Sequence, residues 1–233
     1  MKRSELLFVI CALVALLNIH AADEAGFVAL FNGKDLSGWK GDTTYWSVEG
    51  GAITAKTTAD SRLTKEKYNT FLVWQGGQPA DLELRFSYKI VGGNSGVCYR
   101  SRVIDEAKFI VSGYQADIDA SPKYTGMNYE EKARAFLAQR GEKVTVGADG
   151  KKEVEKIGDP VELQAKVKNE DWNEYQIVVN GNHLEHYVNG VLMSEVIDNQ
   201  KDKAATSGVI ALQAHAGFAM TVQFKDLRLK EIK

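Results

Sequence analysis

The chain has 233 residues, 44% of them hydrophobic and 26% charged, which is enough to bury a sizeable core. A formal charge of −2 and a pI near 6.1 leave no basic footprint for nucleic acid or an anionic membrane surface. Twenty-one glycines against three prolines favour many tight turns over a linker-rich array.

Residues 1–22 have the layout of a secretory signal peptide: Lys2 and Arg3, an apolar run over 6–17, and Ala21-Ala22 before Asp23. The run is too short for a comfortable membrane span. The expectation is therefore export to the periplasm or the extracellular space, with residues 23–233 as a single domain and no membrane span in the mature form. Ile10 before Cys11 argues against lipidation. Removal of 1–22 leaves Cys98 as the only cysteine, so the domain cannot form an internal disulfide and must rely on its core. Cys98, between Val97 and Tyr99, reads as a small strand residue.

The mature start, residues 27–31, is a short apolar run ended by the turn dipeptide Asn32-Gly33. Residues 45–48 and 52–55 flank Glu49-Gly50-Gly51 as a hairpin. Residues 61–67 are polar, and 71–74 form another short strand. The cleanest alternation lies in 81–90, with Leu82, Leu84, Phe86, Tyr88 and Ile90 on one face and Glu83, Arg85, Ser87 and Lys89 on the other. That pattern predicts a half-buried antiparallel strand.

Residues 94–119 hold the unusual stretch. Asn94, Gly96, Cys98 and Arg100 share one strand face, and Gln115, Asp117 and Asp119 share another, where apolar residues are expected. Such a face is either solvated or the floor of a polar cleft. Residues 129–139 carry helix formers but lie between Gly126 and Gly141, so helix and strand both remain open. Residues 151–159 form a charged excursion.

Strands return after Asp171. Residues 172–179, 183–189 and 191–196 are joined through Asn180-Gly181 and Asn189-Gly190, the preferred two-residue hairpin turn. Residues 208–215 and 220–229 complete the set. Roughly a dozen strands, no long helix and no βαβ alternation predict an all-β fold, a two-sheet antiparallel β-sandwich of jelly-roll type.

Seven segments in order, FNGKDLSGW, YWSVEGGAI, NSGVCYRS, GYQADID, DWNEYQIVVNGNHLEHYVNG, GVIALQAH and VQFKDLRLK, resemble the 3-keto-disaccharide hydrolase domain family. The resemblance runs from Phe27 to Lys233 and implies the fold of the concanavalin A-like lectins and glucanases. It also implies an exported hydrolase that cleaves glycosides already oxidised to a ketone at C3, with a small carbohydrate as partner. Many members carry glutamate and glutamine where this chain has Gln115 and Asp117, so the acid must be assigned from local chemistry.

A C3 ketone acidifies the C2 hydrogen; a base can remove it, and the enolate can then expel the C1 substituent before water adds back. This needs a positioned base and a donor or cation beside the C3 oxygen. Asp117 is the expected base, since neighbouring carboxylates raise one another's pKa. Arg100 is expected to steady the enolate, unless it pairs with Asp117 or Asp119. His215 is expected to serve the leaving oxygen. Asn94, Gln115, Asp119, Glu131, Arg134 and Gln213 are expected to bind substrate, with Glu131 next in line as base.

No cofactor is predicted. Asp117, Asp119 and His215 have the ligand types for a divalent metal but lack a tight motif, so the metal question stays open, as does the oligomeric state. His183 and His186 fall on opposite faces of their strand and cannot both enter one site. A conventional two-carboxylate glycosidase is an alternative, as Asp117 and Asp119 would lie about 6.5–7 Å apart. A lectin-like module, with Tyr99, Tyr114 or Trp172 stacking on a sugar, is another.

Overall fold

The computed structural model describes residues 25–232; the expected signal segment 1–22 lies outside them. β1 (Val28–Ala29) and β2 (Trp39–Lys40) precede the hairpin of β3 (Trp46–Glu49) and β4 (Ala52–Thr57). Helix α1 (Arg62–Lys65) is followed by β5 (Thr70–Trp74), β6 (Leu82–Val91), β7 (Asn94–Asp105) and β8 (Ile110–Asp119). Next come β9 (Asn128–Glu131), β10 (Ala135–Ala138), β11 (Glu142–Val146), β12 (Lys152–Lys156) and helix α2 (Pro160–Gln164). The remaining strands are β13 (Asn173–Asn180), β14 (His183–Val188), β15 (Val191–Asp198), β16 (Val209–Ala214) and β17 (Met220–Glu231).

They build two sheets. The larger has the order β12–β11–β15–β14–β13–β6–β17–β4–β3, with β1 also on β17; the smaller runs β10–β9–β8–β7–β16–β5–β2. Among the described strands β11 and β15 pair in parallel, and the other ladders are antiparallel, which gives the expected two-sheet β-sandwich. In β6 the predicted alternation holds, with Leu82, Leu84, Phe86, Tyr88 and Ile90 buried. Phe86 stacks on Tyr175 of β13 with ring centroids 5.3 Å apart. From the smaller sheet, Val97, Tyr99, Tyr114, Ala116 and Ile118 meet this layer. Aromatic pairs of this kind add to the area they bury.

A polar link crosses the core: the Tyr99 hydroxyl lies 2.9 Å from His186 Nε2, and Asn128 Nδ2 donates to the same hydroxyl at 3.1 Å. Burial drives the His186 imidazole down to about 3, so it is neutral. His183, on the opposite face, instead meets Glu195.

Four local readings are resolved. Residues 129–139 are not helical: β9 pairs with β8, with Tyr129 opposite Gln115, and β10 returns along β9. This pairing overrides the helix propensity of the segment. The polar 61–67 stretch contains α1, and the charged excursion contains β12, exposed along its length. At Asn189-Gly190 both turn residues have positive φ, as a type I′ turn requires, whereas Asn180 pairs directly with His183. The turn there is Gly181-Asn182, one residue later than expected.

Arg100 also departs from expectation. It sits where the β7–β8 register shifts between Tyr99 and Arg102, with φ 43°. The extra residue of a bulge re-aims the side chain. Arg100 is 3% exposed and donates to the carbonyls of Ala80 and Gly181, each at 2.7 Å, and to Asp81 Oδ1. It ties β7 to the start of β6 and to the β13–β14 turn. Replacing it with methionine leaves a buried position without its hydrogen bonds to two carbonyls and its ion pair to Asp81, at about 2–3 kcal/mol. Arg100→Met should therefore lower the thermal unfolding midpoint by roughly 5–10 °C. The measured activity per folded molecule should stay within about twofold, since a packing role predicts only the loss of stability.

Candidate active site

The face of the smaller sheet that points away from the core is also largely dry. Cys98, Gln115, Asp117 and Gln213 are each under 5% exposed. Gln115, Asp117 and Gln213 floor a cavity of about 580 Å³ that is also lined by Asn69, Asn94, Asp119, Glu131, Lys132 and His215. Tyr124, Tyr129, Phe136 and Phe218 form its aromatic walls. Tyr124 lies nearly parallel to Phe136 at 5.5 Å, and Tyr129 meets Phe136 edge-on at 5.0 Å. The strand order β9–β8–β7–β16 places Glu131, then Gln115, Asp117 and Asp119, then Asn94, then Gln213 on this one face. The size and mixed lining suit a small polar ligand.

Asp117 is the most desolvated acid of the group. Burial pushes its carboxyl well above the usual range, the Gln115 amide opposes this, and the charges of Asp119 and Glu131 reinforce it. Gln115 Nε2 donates to Asp117 Oδ1 at 2.8 Å, and Gln213 Nε2 donates to Gln115 Oε1 at 2.8 Å. Gly96 faces Asp117 across the ladder, and a Cβ there would come within 2.6 Å of Gln115 Cδ. The missing side chain gives the glutamine room to lie over β7.

Glu131 is held by Asn69, whose Nδ2 donates to Oε1 at 3.2 Å. Burial raises its carboxyl pKa, against the pull of Lys132 and Asn69. Asn94 Nδ2 donates to Asp119 Oδ2 at 3.2 Å. His215 packs against Phe218 at 5.2 Å, and its Nδ1 lies 2.6 Å from the Ala216 carbonyl. A carbonyl only accepts, so Nδ1 carries the proton. Burial lowers the imidazole's pKa, and in the neutral ring Nε2 then offers a lone pair. That is a correction to the expectation that His215 gives a proton to the leaving oxygen: this tautomer accepts at the free nitrogen.

The cavity thus gathers Asn94, Gln115, Asp117, Asp119, Glu131, Gln213 and His215. It does not include Arg100 or Arg134. Arg134 follows β9 and reaches the other sheet, donating to Asp198 Oδ2 at 2.6 Å and to Glu130, beside a second cavity. Its guanidinium clamps the sandwich edge because two carboxylates are already there to receive it. Tyr99 and Tyr114 are core residues, and Trp172 lies beneath Lys225 and Lys89 on the larger sheet, so none of the three faces the cavity. Among the described residues no three His, Cys, Asp or Glu side chains are grouped to hold a metal ion, so Asp117, Asp119 and His215 form no such set. Burial pushes the Cys98 thiol well up, which suits a packing residue.

Asn69, Lys132, Tyr124, Tyr129, Phe136 and Phe218 are lining residues that the sequence reading passed over. The pairing of Tyr129 with Gln115 was the available signal, and it required recognising 129–139 as a hairpin.

Solved structures share this fold. A candidate glycosyl hydrolase from Parabacteroides distasonis superposes with a TM-score of 0.56 at 18% identity, covering 88% of this chain and 99% of its own. A second from the same organism gives 0.56 at 19%, covering 89% and 94%. The carbohydrate-binding module CBM66 from Bacillus subtilis gives 0.54 at 14%, covering 83% and 96%. No curated protein sequence shows a significant match. Residues 26–230, which include every lining residue of the cavity, match the family model of the 3-keto-alpha-glucoside-1,2-lyase-like domain, and the chain belongs to that family.

Proposed function

We propose that this protein cleaves the glycosidic bond of 3-keto-glycosides, 3-keto-disaccharides among them, by elimination and rehydration. The observation that carries this reading is Asp117, a carboxylate buried on the floor of a polar cavity with an amide N–H aimed at it. A desolvated carboxylate is a stronger base when ionised, and a carbon acid beside a ketone is what such a base can deprotonate.

In the proposed sequence Asp117 takes the C2 hydrogen as a proton, and the electron pair passes to the C3 oxygen as an enolate. Lys132, on the β9–β10 turn, is the cation assigned to that oxygen in place of Arg100. Collapse of the enolate restores the C3 carbonyl, forms the C1–C2 double bond and breaks the bond from C1 to the leaving oxygen. Glu131, with its raised pKa, supplies the proton to that oxygen. Water then adds at C1 and a proton returns to C2, so the net change is hydrolysis. The lone pair on His215 Nε2 is suited to take the proton of that water. The aromatic walls pack on the sugar's apolar face, and Asn94 and Gln213 meet its hydroxyls. We propose further that the protein is exported through residues 1–22, supported by their charge and apolar layout.

Incubation of the purified protein with a 3-keto-disaccharide and with its unoxidised parent tests the reading. Release of free sugar from the keto form alone is expected. Cleavage of both forms would replace it with a conventional two-carboxylate glycosidase, and binding without cleavage of either with a lectin-like module.

Asp117→Asn should lower turnover by roughly 10²–10⁴ and slow exchange of the C2 hydrogen into deuterated water to a similar degree. Glu131→Gln should slow cleavage while leaving that exchange within a few-fold of wild type. Normal exchange in a folded Asp117→Asn protein would remove Asp117 from the mechanism.

The pH profile follows from the same environment. Activity requires Asp117 ionised, so its rising limb should lie above the ordinary aspartate value of about 4. Stability moves the opposite way. A carboxyl whose pKa is raised on folding costs nothing while it is protonated in both states, and the cost grows as pH rises from the unfolded value through the folded one. Asp117→Asn should therefore raise the unfolding midpoint at pH 7 and change it little near pH 3, as calorimetry at the two values would show.

A further inference from the structure

We propose that Gln213 is a positioning residue for Asp117: acting through Gln115, it fixes which end of the intervening amide faces the carboxylate. The inference rests on Asp117 being the base of the reaction proposed above.

The two ends of a glutamine amide have nearly the same shape, so sterics alone do not decide which one meets Asp117. The hydrogen bonds around Gln115 do. Its Oε1 accepts from Gln213 Nε2 at 2.8 Å and from the Cys98 thiol at 3.4 Å. With two donors converging on that oxygen, Nε2 is the end left for Asp117 Oδ1, at 2.8 Å. The three strands that supply these groups, β8, β7 and β16, are consecutive in the sheet. Gly96 on the middle strand leaves the space through which the Gln115 side chain reaches across.

Reversal would have to turn two amides. A protonated Asp117 could donate to Gln115 only if Oε1 turned toward it, and that would set the Gln115 amine against the Gln213 amine unless Gln213 turned as well. With Gln213 donating as it stands, the arrangement favours the carboxylate over the acid. It opposes the burial of Asp117 and the charges of Asp119 on its own strand and Glu131 from β9; Tyr129 from β9, Cys98 from β7 and, across the sheet, the core residue Tyr175 also lie within its field. Lys132 on the β9–β10 turn and the neutral His215 complete the surroundings.

Gln213 is itself fully buried, lines the cavity, and has an Oε1 without a hydrogen-bond partner. An unpaired buried acceptor of this kind is unfavourable. A substrate hydroxyl donating to it would complete one directional chain: hydroxyl to Gln213, Gln213 to Gln115, Gln115 to Asp117. Binding of the sugar would then lock the polarity of the amide that faces the base.

The test is a carbon-13 NMR titration of the Asp117 carboxyl in the full chain, comparing wild type with Gln213→Met and Gln213→Glu. The methionine variant removes the donor without adding charge. The glutamate variant, when ionised, draws the Gln115 amine toward itself and turns its carbonyl to Asp117. The Asp117 midpoint should rise by roughly one pH unit in the first and further in the second. The rising limb of kcat should move in parallel, while KM for the keto-disaccharide rises only a few-fold. If the glutamate variant does not fold, the methionine variant decides alone. An unchanged midpoint in folded Gln213→Met overturns the inference. The titration needs no turnover: shifted midpoints in a protein that does not cleave keto-sugars would sink the functional reading and leave this one standing. Cleavage with an unshifted midpoint would do the reverse.

Discussion

The interior strand β8 of the smaller sheet buries its side chains on both faces, and the site follows from that. β8 is buried at Ser112–Ile118 whichever way its side chains point. Alternation then does something it does not do in an ordinary half-solvated sheet. Tyr114, Ala116 and Ile118 enter the hydrophobic core, while Gln115 and Asp117 point to the floor of the cavity on the far side. A strand can hold a carboxylate there because its backbone bonds are satisfied by the ladder on either side. The side chain alone bears the desolvation. A loop placing the same acid in the same cavity would also have to satisfy its own buried amides.

The electrostatics of the cavity depend on where the arginines are not. Asp117, Asp119 and Glu131 share it, yet Arg100 and Arg134 are both committed to the edges of the sandwich, where Asp81, Asp198 and Glu130 hold them. Had either guanidinium reached Asp117, the carboxylate would be a stable ion pair and a poor base, since an adjacent cation lowers its pKa. Neutral amides do the positioning instead. Gln115, Asn69 and Asn94 each orient an acid through a single hydrogen bond without cancelling its charge, and Gln213 holds Gln115. Such an environment suits removal of a proton from carbon better than the capture of an anionic ligand.

Much of this was legible in the chain. The alternation in 82–90 follows from period-two burial and the Asn189-Gly190 turn from its dipeptide, and both are signals a sequence displays well. The grouping of Gln115, Asp117 and Asp119 was legible from the same period. Arg100 was misplaced because one bulged residue breaks the period, and nothing in NSGVCYRS announces the bulge. Arg134 and the cavity's aromatic walls were illegible for a different reason. Residues 129–139 favour helix locally, and only pairing with β8, more than ten residues away, makes them a hairpin. The tautomer of His215 depends on a carbonyl one residue along the chain, and its lowered pKa on burial that only tertiary structure provides.

The construction also ties the function to stability. A desolvated carboxylate, a glutamine oxygen without a partner and the positive φ angles at Lys132 and Ala135 on the β9–β10 turn are each unfavourable locally. All lie on or beside the cavity. What offsets them lies elsewhere: the stacked aromatics between the sheets, the Tyr99–His186–Asn128 link, and the two arginine clamps at the edges. The division is spatial. The inner face of the smaller sheet is built for packing and the outer face for chemistry. The two faces are linked through the backbone of β7, β8 and β16, whose alternate residues serve each in turn. A substitution in the core that moves β8 by a fraction of an ångström would therefore be read at Asp117 before it was read as lost stability, because the hydrogen bonds that orient this carboxyl tolerate less displacement than the core does.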